Sequence, residues 1–551
     1  MRAALCSLVF ALAALLSPAH ALAADGGICP RAEPGDTVSP PPDLFSQDGV
    51  LRVKFNYYTS VDDEGRTLFC FVTADGAQSP TLHVKPGDKI EMTVTNLVPS
   101  APGGPVETVS NAKNVCGAGD MTLASVNVHF HGVNASPGCH SDETIHTLIN
   151  PGKSFDYVVR IPKDEPPGLY WYHPHVHGIS SAAVEGGASG AIEVEGIESI
   201  QPAVAGLPQR YLILRDMPLI ASPRVESALP PQLPRPFWDL SINYVPVNFP
   251  FYKPAQIRMQ PGKKEFWRVV NASANSIFDI QLTYDGAQQP LEIVALDGVP
   301  TGSQDGKHQG VIITQRDILI PPAGRAEFIV KGPSKDVKLA QLSTLAIDTG
   351  PLGDSLPARP IANIALTGEE LGLPVAKASE SPRADRFAGL DRMKPTATRR
   401  LYFSETFSHA DGGPARPPSG AGVNFYITVK GQDRRLFDPN EPPAIVTRKG
   451  AVEDWIIQNH SPEVHEFHIH QIHFLLLAVN GVPVPPEQRQ FYDTYQVGYW
   501  DEVGPYPSIK VRMDFRGAVV GDFVYHCHIL QHEDGGMMAI IRVKPPKGHR
   551  Q

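Results

Sequence analysis

After its first two dozen residues the chain has no stretch long and apolar enough to span a bilayer as a helix. It has no excess of basic charge either. The 48 Lys and Arg against 58 Asp and Glu leave a formal net charge of -10. There is no basic patch, so nucleic acid is not an expected partner. Helical patterning is scarce. What the chain does have is turn formers, with 54 Pro and 48 Gly. Between them lie many short β-branched or aromatic runs. That combination predicts an all-β chain of Greek-key sandwiches. At 551 residues it is too long for one core, and three domains of ordinary size are expected.

The run His526-Cys527-His528, followed by His532 and Met537, carries the most information. In an extended strand, successive side chains point to opposite faces. Cys527 then faces one way, and His526 and His528 face the other. A thiolate, two imidazoles and a weak axial thioether form the ligand set of an electron-transfer copper site. Cys527 and His532 supply two of these ligands and Met537 the axial one. Met538 competes with Met537, and the five-residue step from His532 favours Met537. The flanking histidines must serve a second site on the opposite face.

Further histidines come from three other clusters: His129-Phe-His131-Gly, His173-Pro-His175 and His465-Glu-Phe-His468-Ile-His470. In each H-x-H pair both imidazoles lie on one face, roughly 6.5 to 7 Å apart along the strand. That separation suits neighbouring metals and not chelation of one. Ten of the twenty histidines fall in the four clusters. His140, His177 and His473 lie near these positions but off the pattern, and are expected to support ligands or to face solvent.

The four clusters, two near each end of the chain, resemble those of the multicopper oxidases. HPHVHG and HCHILQHEDGGMM look most like the bacterial three-domain members, and the resemblance spans about residues 45 to 545. It implies three consecutive cupredoxin-like β-sandwich domains and four copper ions. His465, Cys527 and His532, with Met537 axial, would bind the type 1 copper. His129 and His468 would bind the type 2 copper. His131, His173 and His528 would bind one type 3 copper, and His175, His470 and His526 the other. It further implies one-electron oxidation of a donor at the type 1 copper, with dioxygen reduced to water at the three-copper cluster. Glu533 matches an acidic residue proposed to relay protons in bacterial relatives. Asp142, in the loop after His131, is placed as a second relay, although the loop length departs from the cuprous-oxidase pattern.

A weak internal repeat sets the domains. PGDKIEMTVTN ends at Asn96, PGKKEFWRVVN at Asn271 and KGAVEDWIIQN at Asn459. In each, a Gly precedes a strand-like alternation that closes on Asn. The period of about 180 residues is domain-sized. A second echo pairs PGKSFDYVV from Pro151 with PAGRAEFIV from Pro322. We expect domain 1 over 24–198, domain 2 over 199–370, a polar linker over 371–397 and domain 3 over 398–551. Domain 2 has ASANSIFDIQL where domain 3 has HEFHIH, so it is expected to be a metal-free spacer. The three-copper site would then lie between domains 1 and 3.

Residues 1–23 read as a cleaved secretory signal, with an early Arg, an apolar run ended by Pro18 and A-x-A register before Ala21 and Ala23. A periplasmic or secreted protein is expected. Cys6 leaves with that segment and Cys527 belongs to copper. Cys29, Cys70, Cys116 and Cys139 remain, an even number that favours two disulfides in an exported chain. Three connectivities are open. Cys116–Cys139, bracing the loops around His129 and His131, and Cys29–Cys70, tying down the N-terminal arm, are favoured.

The donor should approach the edge of His465, where Glu463 and Glu466 are expected to be solvated. Nine methionines, unclustered after residue 350, leave no Met-rich segment of the cuprous-oxidase kind. This favours laccase-like donors, phenols and aromatic amines. A Cu(I) or Fe(II) oxidase serving metal tolerance, a non-catalytic scaffold and a copper store are the alternatives. Copper-loaded protein is expected to show an intense visible thiolate band that Cys527→Ser abolishes, checked by absorption and spin resonance.

Overall fold

In a computed structural model, residues 27–99, 116, 121–220, 234–306, 308–375, 386–407, 422–517 and 519–546 are described. The expected signal over 1–23 and residues 376–385 of the expected linker lie outside them. Six sheets account for all 35 strands of the described residues, and they stack as three sandwiches along the chain. The sheets have 4 and 5, 8 and 6, and 7 and 5 strands in chain order. Three large apolar cores fill them, centred on Phe55, Tyr57 and Tyr172, on Trp267 and Phe328, and on Trp455 and Phe467. No helix of the described residues is long and apolar enough to cross a membrane.

The repeated motif forms the same piece of architecture three times. Gly87, Gly262 and Gly450 all take positive φ, at +96°, +66° and +92°, and turn the chain into the strands Lys89–Asn96, Lys264–Asn271 and Val452–Asn459. Each strand pairs parallel with an earlier long one, Val50–Val61, Gln209–Pro218 or Ala397–Phe407. Each pairs antiparallel with a later one, Ser154–Arg160, Arg325–Lys331 or Ser508–Asp514. The first two of these later strands are the second sequence echo. Parallel neighbours cannot be joined by a hairpin, so each of these pairs needs a long crossing connection.

The closing asparagines have one shared function. Each is buried. Asn96 Nδ2 donates to Ala124 O and Ile149 O, Asn271 Nδ2 to Ser276 O and Ile320 O, and Asn459 Nδ2 to Glu463 O and Gly498 O. Each Oδ1 accepts the backbone N–H two residues on. The amide thus satisfies carbonyls of the loops that close each sandwich. Domains 2 and 3 share a further device. Trp267 and Trp455 donate Nε1–H to Glu265 and Glu453, which in turn hold Arg210 and Arg399. Ile90 and Met92 stand at those positions in domain 1.

Charge ties the first sandwich to the second. Glu193 reaches Arg268 at 2.8 Å, and Arg268 reaches Glu327 at 3.0 Å, all buried. Glu327 also accepts the Leu169 N–H. His83 lies between Asp43 and Glu193, at 2.8 and 2.9 Å. Burial opposes its positive charge, but the two carboxylates together outweigh burial and raise it to about 9. Two disulfides are present, Cys29–Cys70 and Cys116–Cys139, with Cα atoms 5.7 and 5.4 Å apart. This is the favoured pairing.

Asn271→Ala strands two buried carbonyls and one N–H, and is expected to cost about 3 kcal/mol in urea or thermal unfolding. A His raised in the folded state contributes stability that is complete below its unfolded value near 6.5. That stability is lost as pH rises through about 9. His83→Gln is expected to remove this slope, on the order of 2–3 kcal/mol between pH 6 and 10, measured as unfolding stability against pH.

Candidate metal centre

Strand alternation sorts the C-terminal ligand candidates onto two faces. The strands His465–Ile469 and Gly521–Cys527 run antiparallel, with Phe467 opposite Cys527 and His468 opposite His526. His465, Phe467 and Ile469 point into the domain 3 core, while His468 points the other way. Cys527 also lies in that core, together with Met537. Met538 faces a separate cluster with Val524 and Ile540. Just past Cys527 the chain turns into the short helix Leu530–Asp534, which carries His532 back towards the sulfur.

On the core face, Cys527 Sγ lies 3.6 Å from His465 Nδ1 and 3.7 Å from His532 Nδ1. The two Nδ1 atoms are 3.0 Å apart. These are separations that ligands roughly 2.0–2.3 Å from one ion make at near-tetrahedral angles. Burial pushes the Cys527 thiol up, against the pull of the Glu466 and Ile529 N–H groups. The Glu466 N–H lies 3.3 Å from the sulfur. His465 Nε2 meets Ser461 Oγ at 2.6 Å and Glu405 at 3.2 Å. His532 Nε2 lies 3.4 Å from Glu463, and Phe425 stacks on its ring at 4.3 Å.

Two expectations are corrected here. His465 has no exposed edge; it is 0% accessible, against 4% for His532. Glu463 and Glu466 are not solvated, since both are buried. Glu463 lies against His532, and the strand that carries Glu466 is paired on both sides, with Thr494–Val497 and with Gly521–Cys527. Burial drives Glu466 well above the usual carboxylate range, and neither of its carboxyl oxygens has a hydrogen-bond partner.

Eight histidines meet on the opposite face. His129 and His131 lie on the strand His129–His131, paired with Gly168–His173 so that His129 faces His173. His175 follows Pro174. Across the seam come His468, His470, His526 and His528. His129 stacks on His470 at 3.8 Å and His131 on His468 at 4.1 Å. His175 and His470 each place Nε2 close to His526 Nε2, at 3.3 and 3.2 Å. His131, His173 and His528 surround a second point, with rings 5.1 to 5.8 Å apart.

The donor chemistry fits metal. Nε2 of His129, His173 and His468, Nδ1 of His131 and His470, and both nitrogens of His528 are buried without a hydrogen-bond partner. Buried polar atoms are rarely left so. The far nitrogens, by contrast, are held. His129 Nδ1 donates to Asp142 at 2.9 Å, His131 Nε2 to Asp493 at 3.1 Å and His173 Nδ1 to Pro174 O at 2.8 Å. His468 Nδ1 donates to Asp493 O at 2.8 Å and His526 Nδ1 to Cys527 O at 2.9 Å. Such outer bonds aim a lone pair at a metal. Burial, reinforced by neighbouring imidazoles, holds His131, His173, His175, His468, His470 and His528 well below the usual range. Burial takes His526 to about 3. Neutral imidazole is the ligand form.

Asp142 is buried. It accepts from His129 and Phe130 N–H through Oδ1 and from Gln471 through Oδ2. Glu533 is buried at 3.5 Å from His526 Nδ1 and 3.7 Å from His175 Nε2. Burial, with Asp534 adding, lifts its carboxyl well above the usual range. His473 is held by Asp297 O at 2.8 Å, beyond the ligand ring. His140 is exposed and stacks on Phe155, and His177 packs on Phe437. Sequence reading missed Asp493, which touches His131, Arg325 and Thr494. It lies in FYDTYQV, which has no metal-site signature.

Among the described residues, the three sandwiches carry a Cys-His pocket and an eight-histidine pocket, donor sets of the kind that copper takes. A family profile described as multicopper oxidase matches residues 416–547, and a second of the same description matches 102–199. The multicopper oxidase mco of Staphylococcus haemolyticus is 21% identical, over 84% of this chain and 81% of its own. The laccase of Bacillus subtilis is 23% identical, over 85% and 88%. Among solved structures, the multicopper oxidase from Campylobacter jejuni, described as a metallo-oxidase, superposes with a TM-score of 0.63 at 22% identity, over 93% of this chain and 95% of its own. A laccase-like multicopper oxidase from Ochrobactrum gives 0.61 at 20%, over 92% and 100%. The fold is that of the cupredoxin-like oxidases. Two segments of the chain thus match multicopper oxidase domains, and the relatives it matches along most of its length are multicopper oxidases and laccases, copper oxidoreductases that use dioxygen.

Proposed function

We propose that this oxidase is laccase-like, taking electrons singly from phenols or aromatic amines and reducing dioxygen to water with four copper ions. His465, Cys527, His532 and Met537 would hold the type 1 copper. His129 and His468 would hold the type 2 copper, with His131, His173 and His528 on one type 3 copper and His175, His470 and His526 on the other. When bound, the coppers supply the one-electron chemistry at the first site and the oxygen chemistry at the second. One observation carries the reading. Cys527 Sγ shares a pocket with His465 and His532, while His526, one residue away, shares another with His175 and His470.

The chain's own residues do the rest. The backbone of 526–528 joins the two pockets by covalent bonds. Asp142 orients His129. Glu533, buried beside His526 and His175, is placed to hold a proton for the oxygen pocket. Burial of all eight imidazoles keeps bulk water out of that pocket. The domain limits 24–198, 199–370 and 398–551 are part of this reading, as is export to the periplasm or medium, supported by the two disulfides.

A second reading has a specific observation in its favour. Glu405 and Glu463 lie at the outer nitrogens of His465 and His532. Carboxylates there favour a cationic donor such as Cu(I) or Fe(II). Oxygen uptake by copper-loaded protein, with phenol, Cu(I) and Fe(II) donors side by side, decides. The laccase-like reading expects fastest uptake with phenols, and Glu405→Gln with Glu463→Gln leaving that rate within about threefold. Fastest uptake with metal ions, cut tenfold or more by the same substitutions, selects the second reading. No uptake with any donor would sink both.

A further inference from the structure

The middle sandwich contributes a side chain to the wall of the histidine pocket. Arg325 opens the strand Arg325–Lys331 and is fully buried. Its Nη1 donates to Asp493 Oδ1 at 2.7 Å and its Nη2 to Oδ2 at 2.5 Å. The same guanidinium donates through Nε to Leu169 O and through Nη1 to Ala323 O. Asp493 Oδ1 also accepts from His131 Nε2, and the Asp493 carbonyl accepts from His468 Nδ1. Asp297 closes the network, accepting Arg325 N–H on Oδ1 and Asp493 N–H on Oδ2. Residues from all three sandwiches meet at this one carboxylate.

The space around the pair is tight. Gly132, next to His131, takes φ +85°. A Cβ there would lie 2.6 Å from Arg325 Nη2 and 2.7 Å from Asp493 Oδ2. A carboxylate gripped at both oxygens by a guanidinium fork cannot rotate about its own axis, whereas one held by a point charge can. With Asp493 so held, His131 must donate through Nε2, which leaves Nδ1 as its lone pair. Nδ1 is the buried nitrogen without a partner.

We propose that Arg325 is a positioning residue for the three-copper pocket, acting through Asp493 to fix the ring and tautomer of His131. The middle sandwich is then no inert spacer, because it sets the aim of one ligand. This rests on the assignment of His131 to copper.

The test uses Arg325→Lys, Arg325→Gln, Gly132→Ala and, as reference, His131→Ala. Full-length protein is loaded with copper and challenged with a chelator. Copper per chain is measured by metal analysis beside the visible Cys527 band and the spin-resonance signal. The expectation is a retained visible band, with pocket copper lost at about 10- to 100-fold lower chelator concentration in Arg325→Gln. Arg325→Lys should be milder, and Gly132→Ala should move the same way without removing a charge. If Arg325→Gln does not fold, the other two variants decide. Pocket copper held as in the unaltered protein by the Arg325 and Gly132 variants, while His131→Ala loses it, overturns the inference and spares the functional reading. Visible band and pocket copper failing in parallel also overturns it, since Arg325 would then only hold the sandwiches together. Unchanged copper in His131→Ala overturns the assignment beneath both.

Discussion

The antiparallel register between His465–Ile469 and Gly521–Cys527 is the constraint on which the site depends. Opposite His526 lies His468, and opposite Cys527 lies Phe467. Because side chains alternate, this register puts sulfur and His465 on the core side and every other imidazole of the two strands on the seam side. A slip of one residue would exchange the faces. His465 would then leave the sulfur, and His468 would leave the seam. The flanking core residues, Phe467, Ile469 and Tyr525, resist that slip because exposing them would be costly.

Around that register the protein concentrates buried charge. The Glu193–Arg268–Glu327 group joins the first two sandwiches, and Arg325–Asp493–Asp297, with His131 on Asp493, joins all three. Buried ion pairs contribute little net stability relative to apolar packing, but these hold side chains of different sandwiches at short separations. That suits a pocket whose halves come from residues about 300 to 400 apart in sequence and must meet to within about half an ångström. Outside the pocket, the apolar cores carry the stability, and the asparagine that closes each repeat stops the loops at the sandwich end from drifting.

Much of this was legible beforehand for one reason: short-period patterns survive in sequence. H-x-H and H-C-H spacing state which side chains share a face. The Gly-to-Asn repeat states where a strand begins and ends, and it did so in all three sandwiches. Patterns that depend on contact across domains leave no such trace. Arg325 opens an ordinary strand and Asp493 sits in the bend between Phe491–Tyr492 and Thr494–Val497, and only the packing of three sandwiches brings them to His131. The exposure of His465 and of the neighbouring glutamates was misjudged for the same cause. A local run of Glu-Val-His-Glu reads as a polar loop until the apposed elements cover it.

The amino-acid order by itself determined the ligand chemistry, the two-faced strand and the threefold recurrence of the sandwich, because each follows from neighbours a few residues apart and from the two-residue period of β-structure. The tertiary structure alone decided which imidazoles meet, which of their nitrogens stay free and which carboxylates hold the others in place. Those depend on distances between segments far apart in the chain, set by how the sandwiches pack and by the buried charges that lock them.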